Sequence, residues 1–155
     1  MSLSWIDDYV NGVVDYCYSR DIFDIYNTLN IIIKKVDKDD SLLQGNEAIY
    51  IRNFMGMEIV FIRDDLPYQY KKFILAHELG HALLHVEIAQ AAYNSKLINK
   101  GKFEKQADYF ALKLLDITFD EIDYEGFTIE EIAAAENIPK RLVDLKCMNL
   151  NLSYT

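Results

Sequence analysis

All three histidines of this 155-residue chain lie in one stretch, His77-Glu78-Leu79-Gly80-His81-Ala82-Leu83-Leu84-His85. Its first five residues read H-E-x-x-H. In a helix, positions i and i+4 sit one turn apart on one face. The imidazoles of His77 and His81 can therefore hold one zinc ion from one side. Glu78, on the same turn, can reach a water on that ion. Zinc lowers the pKa of such a water toward neutrality, and a carboxylate can take its proton and pass it to a leaving group. The chemistry is metal-assisted hydrolysis. The competing reading is a packed helix with incidental histidines. It is the weaker one, because the motif follows a strand and sits opposite a leucine stripe. Two histidines and a carboxylate can also hold iron or manganese.

Such a site needs a third ligand. His85 continues the four-residue spacing, but it lies ~12 Å from His77 along a helix axis. Zinc must lie about 2 Å from each ligating nitrogen, so one rigid helix cannot deliver all three. Nor does His85 fit the longer H-E-x-x-H-x-x-G-x-x-H pattern, which turns at a glycine before its last histidine. His85 is read as structural or cleft-lining. It and Tyr93 are the candidates for a donor to a tetrahedral oxyanion. Glu87 fails the same reach test unless the helix breaks. Glu104 and Asp108 form E-x-x-x-D on the next helix and share one face. The pair suits an arrangement with Glu104 on the metal and Asp108 hydrogen-bonded to a ligand histidine from outside; the exchanged roles are the alternative. Without the histidines, both would read as solvated surface acids.

These residues must be held by a small mixed domain. Ile6, Val10, Val13 and Cys17 share a helical face over residues 4 to about 18, with Gly12 inside the pattern. Residues 21–30 predict a second short helix. "IIIKKV" (31–36), "EAIYIRNF" (47–54) and "MEIVFIR" (57–63) are short, β-branched or aromatic, and bounded by turn residues, which predicts three strands. The third is apolar on both faces, Ile59/Phe61 and Val60/Ile62, which predicts burial on both sides. Between the first two, "DKDDSLLQGN" (37–46) lacks EF-hand spacing and reads as a solvated acidic loop. Asn53 to Gly56 is the expected turn into the third strand. A helix is predicted from Pro67 to Val86. Its core stripe would be Leu75, Leu79, Leu83 and Val86, with His77 and His81 on the opposite side, lining a cleft. Gly80 costs about 1 kcal/mol in a helix interior relative to alanine, which close approach by another helix would explain. A loop over 88–101 and a helix over about 102–115 follow. That helix carries Phe103, Ala107, Phe110 and Leu114 as its stripe, opposite Glu104 and Asp108.

The composition sets the class. At 51% hydrophobic, the chain can build one real core. Cys17 and Cys147 stand far apart in no paired motif, so neither a disulfide framework nor a cysteine zinc site is expected. The segment Met1 to Asp8 has no basic start and no signal-length apolar run, and no stretch approaches ~18 apolar residues. A cytoplasmic protein without membrane attachment is expected. The formal net charge of -9 opposes direct nucleic-acid binding, which requires phosphate neutralisation.

"FILAHELGHALLH" followed by "FEKQADYFALKLL" resembles the ImmA/IrrE family of metallo-endopeptidases. Glu104, Ala107, Asp108, Phe110, Ala111, Leu114 and Leu115 fall on the family's second motif. Gln106 departs from its usual inner glutamate, and Asp116-Ile117 stands where Met-Pro is common; neither departure is expected to touch the chemistry. The resemblance is good over roughly 45–115. It implies a zincin-like α/β (α+β) domain with a small three-stranded sheet against the active-site helix. It implies His77, His81 and Glu104 as zinc ligands, one ion per chain, and Glu78 as general base. It also implies a protein substrate, a helix-turn-helix repressor of a phage or mobile element, held by strand addition at a sheet edge.

Two regions are expected, 1–115 as the metallopeptidase domain and 116–155 as a helical extension packed on it. Within the latter, "FTIEEIAAAENIPKRLV" (127–143) resembles a helix-turn-helix. Nine acidic residues against three basic ones over 116–155 repel phosphate. Only Lys140, Arg141 and Lys146 could offset them, so packing or protein docking is the better reading. Two functional alternatives remain: a non-catalytic, metal-containing regulator that binds a repressor or DNA, and a hydrolase of small molecules.

Overall fold

The computed structural model describes residues 2–86, 100–117 and 123–153. Helices α1 (Trp5–Cys17) and α2 (Ile22–Thr28) precede strands β1 (Ile31–Val36), β2 (Ala48–Phe54) and β3 (Met57–Arg63). Helices α3 (Tyr68–Leu84) and α4 (Lys100–Leu114) follow, and then α5 (Ile129–Glu136) and α6 (Lys140–Ser153). The architecture is the expected mixture of helices with one three-stranded sheet. The helix starts are locally encoded. Asp21 accepts the N–H groups of Phe23 and Asp24 to open α2, and Thr128 accepts that of Glu131 to open α5, as N-caps do.

The sheet order is β1-β3-β2, with β1 parallel and β2 antiparallel to β3. Met55 and Gly56 both have positive φ, at 54° and 83°. The Asn53 side chain accepts the Gly56 N–H at 3.0 Å. This is the two-residue turn that matches strand twist. β3 is the central strand and is buried on both faces. Val60 and Ile62 enter the main core, whereas Ile59 and Phe61 meet Leu43. Leu43 corrects the reading of 37–46 as a wholly solvated loop. Asp40 caps a 3-10 turn at Ser41–Leu43, and Leu43 closes over the second face with no exposed surface.

α3 is more central than its sequence pattern implies. Leu75 and Leu79 are fully buried, which stabilises by about 1.5–3 kcal/mol each. Phe73, Ile74, Ala76, His77, Gly80 and Ala82 are buried as well. The histidine face is therefore packed more closely than the sequence pattern implies, with His77 buried and His81 partly exposed. It also ends at Leu84 rather than Val86: His85 leaves helical geometry at φ -119°, ψ 35°, and Val86 is exposed. Tyr26 on α2 donates to the Leu75 carbonyl at 2.6 Å. Arg52 on β2 donates to the Ala82 carbonyl at 2.7 Å, placing a cation at the helix C-terminus.

α4 begins at Lys100, inside the expected loop. It buries Gln106 through Leu112 on all sides, Asp108 among them. Phe103, expected in that stripe, is only half-buried. The helix crosses α3 at Gly80. A Cβ there would stand 3.2 Å from Ala107 Cα and Phe110 Cβ, and 3.3 Å from the Ala107 carbonyl oxygen. Gly80→Ala gains about 1 kcal/mol of helix propensity but overpacks the crossing, at a cost of about 1–3 kcal/mol. The expected result is a net loss, read as a lower denaturation midpoint. A raised midpoint would show that α4 yields and that the contact is loose.

α6 contributes Leu142 and Leu145 to the main core, while Val143 packs with Ile132 and Ala133 of α5 in a satellite cluster. The three basic residues of this region each have a partner within the chain. Lys140 pairs with Glu130 at 2.7 Å, Arg141 pairs with Asp108, and Lys146 donates to the Ile117 carbonyl. Among the described residues, no helix is long and apolar enough to cross a membrane.

Candidate metal centre

The crossing of α3 and α4 sets the site. His77 and His81 project from successive turns of α3, their rings edge to face with centroids 4.7 Å apart. Glu104 enters from α4, one turn before the Ala107 contact with Gly80. The two Nε2 atoms are 3.1 Å apart. His77 Nε2 lies 3.2 Å from Glu104 Oε2, and His81 Nε2 lies 3.0 Å from Glu104 Oε1. A tetrahedral zinc with ligands at about 2.0–2.1 Å requires ligand atoms ~3.3 Å apart. The three donors fit that ion, and among the described residues theirs is the group of histidine and carboxylate side chains that could hold a metal. Exposure rises across the set, from 7% for the His77 side chain to 24% for His81 and 48% for Glu104. The site thus opens to solvent on the Glu104 side.

Glu78 stands beside this triangle without joining it. The backbone of Tyr50, on the edge strand β2, lies close enough to its carboxylate to act on it. Burial pushes the Glu78 carboxyl up, against the lowering influence of His77 and His81. Asp108 is buried and accepts His77 Nδ1–H at 2.8 Å. Its second oxygen accepts Arg141 Nε–H at 2.7 Å, and the guanidinium lies over the Phe73 ring, 5.6 Å from its centroid. His85 is buried too, with its nitrogens 2.9 Å from His81 Nδ1 and from Gln106 Oε1. It is not part of the donor triangle. Tyr93 and Glu87 lie outside the described residues.

Two groups around the site escaped sequence reading. Gln106 was expected to be remote from the chemistry, yet it touches His85. Arg141 has no role at the metal site in the sequence reading, yet it pairs with Asp108. No local pattern announces either, because both depend on how helices far apart in sequence cross.

The electrostatics couple the site to pH. Burial disfavours the charged form of His77, but its hydrogen bonds to Asp108 and Glu104 prevail and take its pKa up to about 9. Hydrogen bonds from His77 and His81 hold the Glu104 carboxyl well below the usual carboxylate range. His85 is pulled down, chiefly by burial. A histidine raised on folding stabilises fully below its unfolded pKa of about 6.5, and this stability is lost as pH rises through about 9. Protein stripped of metal should therefore lose on the order of 1–3 kcal/mol across that window, discounted because Glu104 is half exposed. Metal displaces the same protons, so metal affinity rises over the same range. Thermal midpoints with and without chelator at pH 6, 7.5 and 9 would diverge as pH rises. A flat midpoint for the stripped protein would mean that His77 holds no extra proton.

The sequence profile of the IrrE N-terminal-like domain matches residues 29–148. Metallopeptidase ImmA of Bacillus subtilis (strain 168) is 31% identical over 144 residues, covering 88% of this chain and 80% of that protein. Uncharacterized immunity region protein 2 of Bacillus phage phi105 is 31% identical over 90 residues, 56% of this chain and 57% of that protein. No solved structure matches the chain.

Proposed function

The chain belongs to the ImmA/IrrE family of metallo-endopeptidases, and from that premise we propose that it hydrolyses a peptide bond in a DNA-binding repressor of a phage or mobile element. The observation that carries the reading is the donor triangle, two histidine nitrogens and a carboxylate at mutual distances of 3.0–3.2 Å, with the Glu78 carboxylate beside it. In this reading His77, His81 and Glu104 hold one zinc ion. Zinc bound there supplies a polarised substrate carbonyl and a water acidic enough to lose its proton near neutral pH.

The remaining roles fall to the protein's own groups. Glu78 takes a proton on its carboxylate and returns it to the departing amine nitrogen. Asp108 orients His77 through Nδ1, leaving Nε2 free to ligate. The extended peptide adds to the open edge of β2, the strand whose backbone already reaches Glu78. The immunity-region relative in phage phi105 supports a substrate from phage immunity control. The engaged basic residues of α6 support a packing or protein-docking role for that segment.

The test is incubation of purified, zinc-loaded protein with the repressor encoded beside its gene, followed by intact-mass analysis. The expected result is two fragments that sum to the repressor plus one water, and none after chelation. A protein that retains no metal near one equivalent after desalting would sink the metal assignment. A metal-loaded protein that leaves every neighbouring repressor intact would sink the substrate assignment.

A further inference from the structure

Two ligand histidines require two decisions about which ring nitrogen carries the proton. For His77 the decision falls to Asp108. For His81 it falls to His85, a residue that binds no metal in the reading above. His85 leaves the α3 helix at its C-terminus, which lets its ring fold back toward His81. There His85 Nδ1 stands 2.9 Å from His81 Nδ1, and His85 Nε2 stands 2.9 Å from Gln106 Oε1. Phe103 closes the outer side with its ring edge to face, centroids 4.6 Å apart. His85 and Gln106 are each 6% exposed, so little water competes for these bonds.

Donor and acceptor capacities fix the direction of the chain. The Gln106 side-chain oxygen can only accept, so His85 Nε2 must donate. A neutral imidazole with Nε2–H has a lone pair on Nδ1. His81 Nδ1 must then donate to it, so that when His81 gives up its second proton to a metal the lone pair falls on Nε2, the atom that faces His77 and Glu104. The relay sets the ligating tautomer of His81.

We infer that His85 and Gln106 are a positioning pair for His81, a neutral counterpart to the charged Asp108 and Arg141 behind His77. The inference rests on the metal reading proposed above. A glutamate at position 106 would offer an acceptor as the Gln106 amide oxygen does. The pair therefore keeps its direction in both cases and loses it when the acceptor is removed.

The experiment measures zinc affinity by competition with a chromogenic chelator, on the full chain. Gln106→Leu and His85→Phe should each weaken zinc binding by about 10–100-fold, whereas Gln106→Glu should bind close to wild type. Nitrogen-15 NMR of the zinc-loaded wild type should show His85 protonated at Nε2 and His81 at Nδ1, a signature that a packing role alone would not fix. Equal zinc affinity in wild type and Gln106→Leu overturns the inference, as does a lowered denaturation midpoint with unchanged affinity. Gln106→Leu decides the matter if His85→Phe does not fold. Failure of the wild type itself to bind zinc overturns the metal reading instead, so the two failures are distinct.

Discussion

Glu78→Gln keeps its metal and loses about 10²–10⁴-fold in peptide hydrolysis, the range of a positioned general base. The side chain keeps its size and an acceptor oxygen, so the site should keep its shape. What it loses is the ability to take a proton. Because Glu78 stands outside the triangle of His77, His81 and Glu104, zinc content should remain near that of the wild type. Burial raises the carboxyl from its ordinary value, which moves the base toward working pH and makes its loss more costly. Single-turnover cleavage and metal analysis on the same preparation separate the two effects. If the variant relieved repression as well as the wild type, the protein would be a non-catalytic, metal-containing regulator.

Arg141→Met should be the most damaging change outside the motif. Methionine preserves an apolar stem over Phe73 but leaves the Asp108 carboxylate, only 4% exposed, without its cation. Breaking a fully buried pair costs about 3–5 kcal/mol. The Arg141 side chain is about half exposed, so screening by solvent reduces the expected loss to about 1–3 kcal/mol. Zinc affinity should fall by about 10-fold, since Asp108 orients a ligand. Asp108→Asn removes the charge that needs the cation. In that background Arg141→Met should cost much less, and a double-mutant cycle from urea denaturation gives the coupling. An equal cost in both backgrounds would mean that the pair carries no energy.

The sheet was legible because strands announce themselves by residue type and period. Ile59, Val60, Phe61 and Ile62 are apolar in succession, and only a strand covered on both faces accommodates that. The proximity of His77 and His81 was legible because one turn of helix is local geometry. The approach of Glu104 was suggested only through a second motif, since nothing in α4 alone distinguishes it from a surface acid. The rest depended on packing across distance. Leu43 looked like a loop residue until the sheet offered it a face. Val86 looked like the end of a stripe, but the helix stops two residues earlier. The burial of Asp108 was not legible, because the sequence of α4 does not reveal that α6 covers it. Gly80 was readable as an anomaly, and the close approach of Ala107 supplies its reason.

The reach of Arg141 into the site has a consequence for genetics. A selection for loss of function should return the expected cluster at 77–81 and at 104–108, and then an isolated position at the start of the C-terminal helix. On a linear map that allele would suggest a separate domain with its own task, such as recognition of a partner. In three dimensions it belongs to the same complementation group of interactions as His77. Asp108→Asn in the background of that allele should recover stability, because it removes the charge left without its cation, but not full zinc affinity, because the same carboxylate also holds His77.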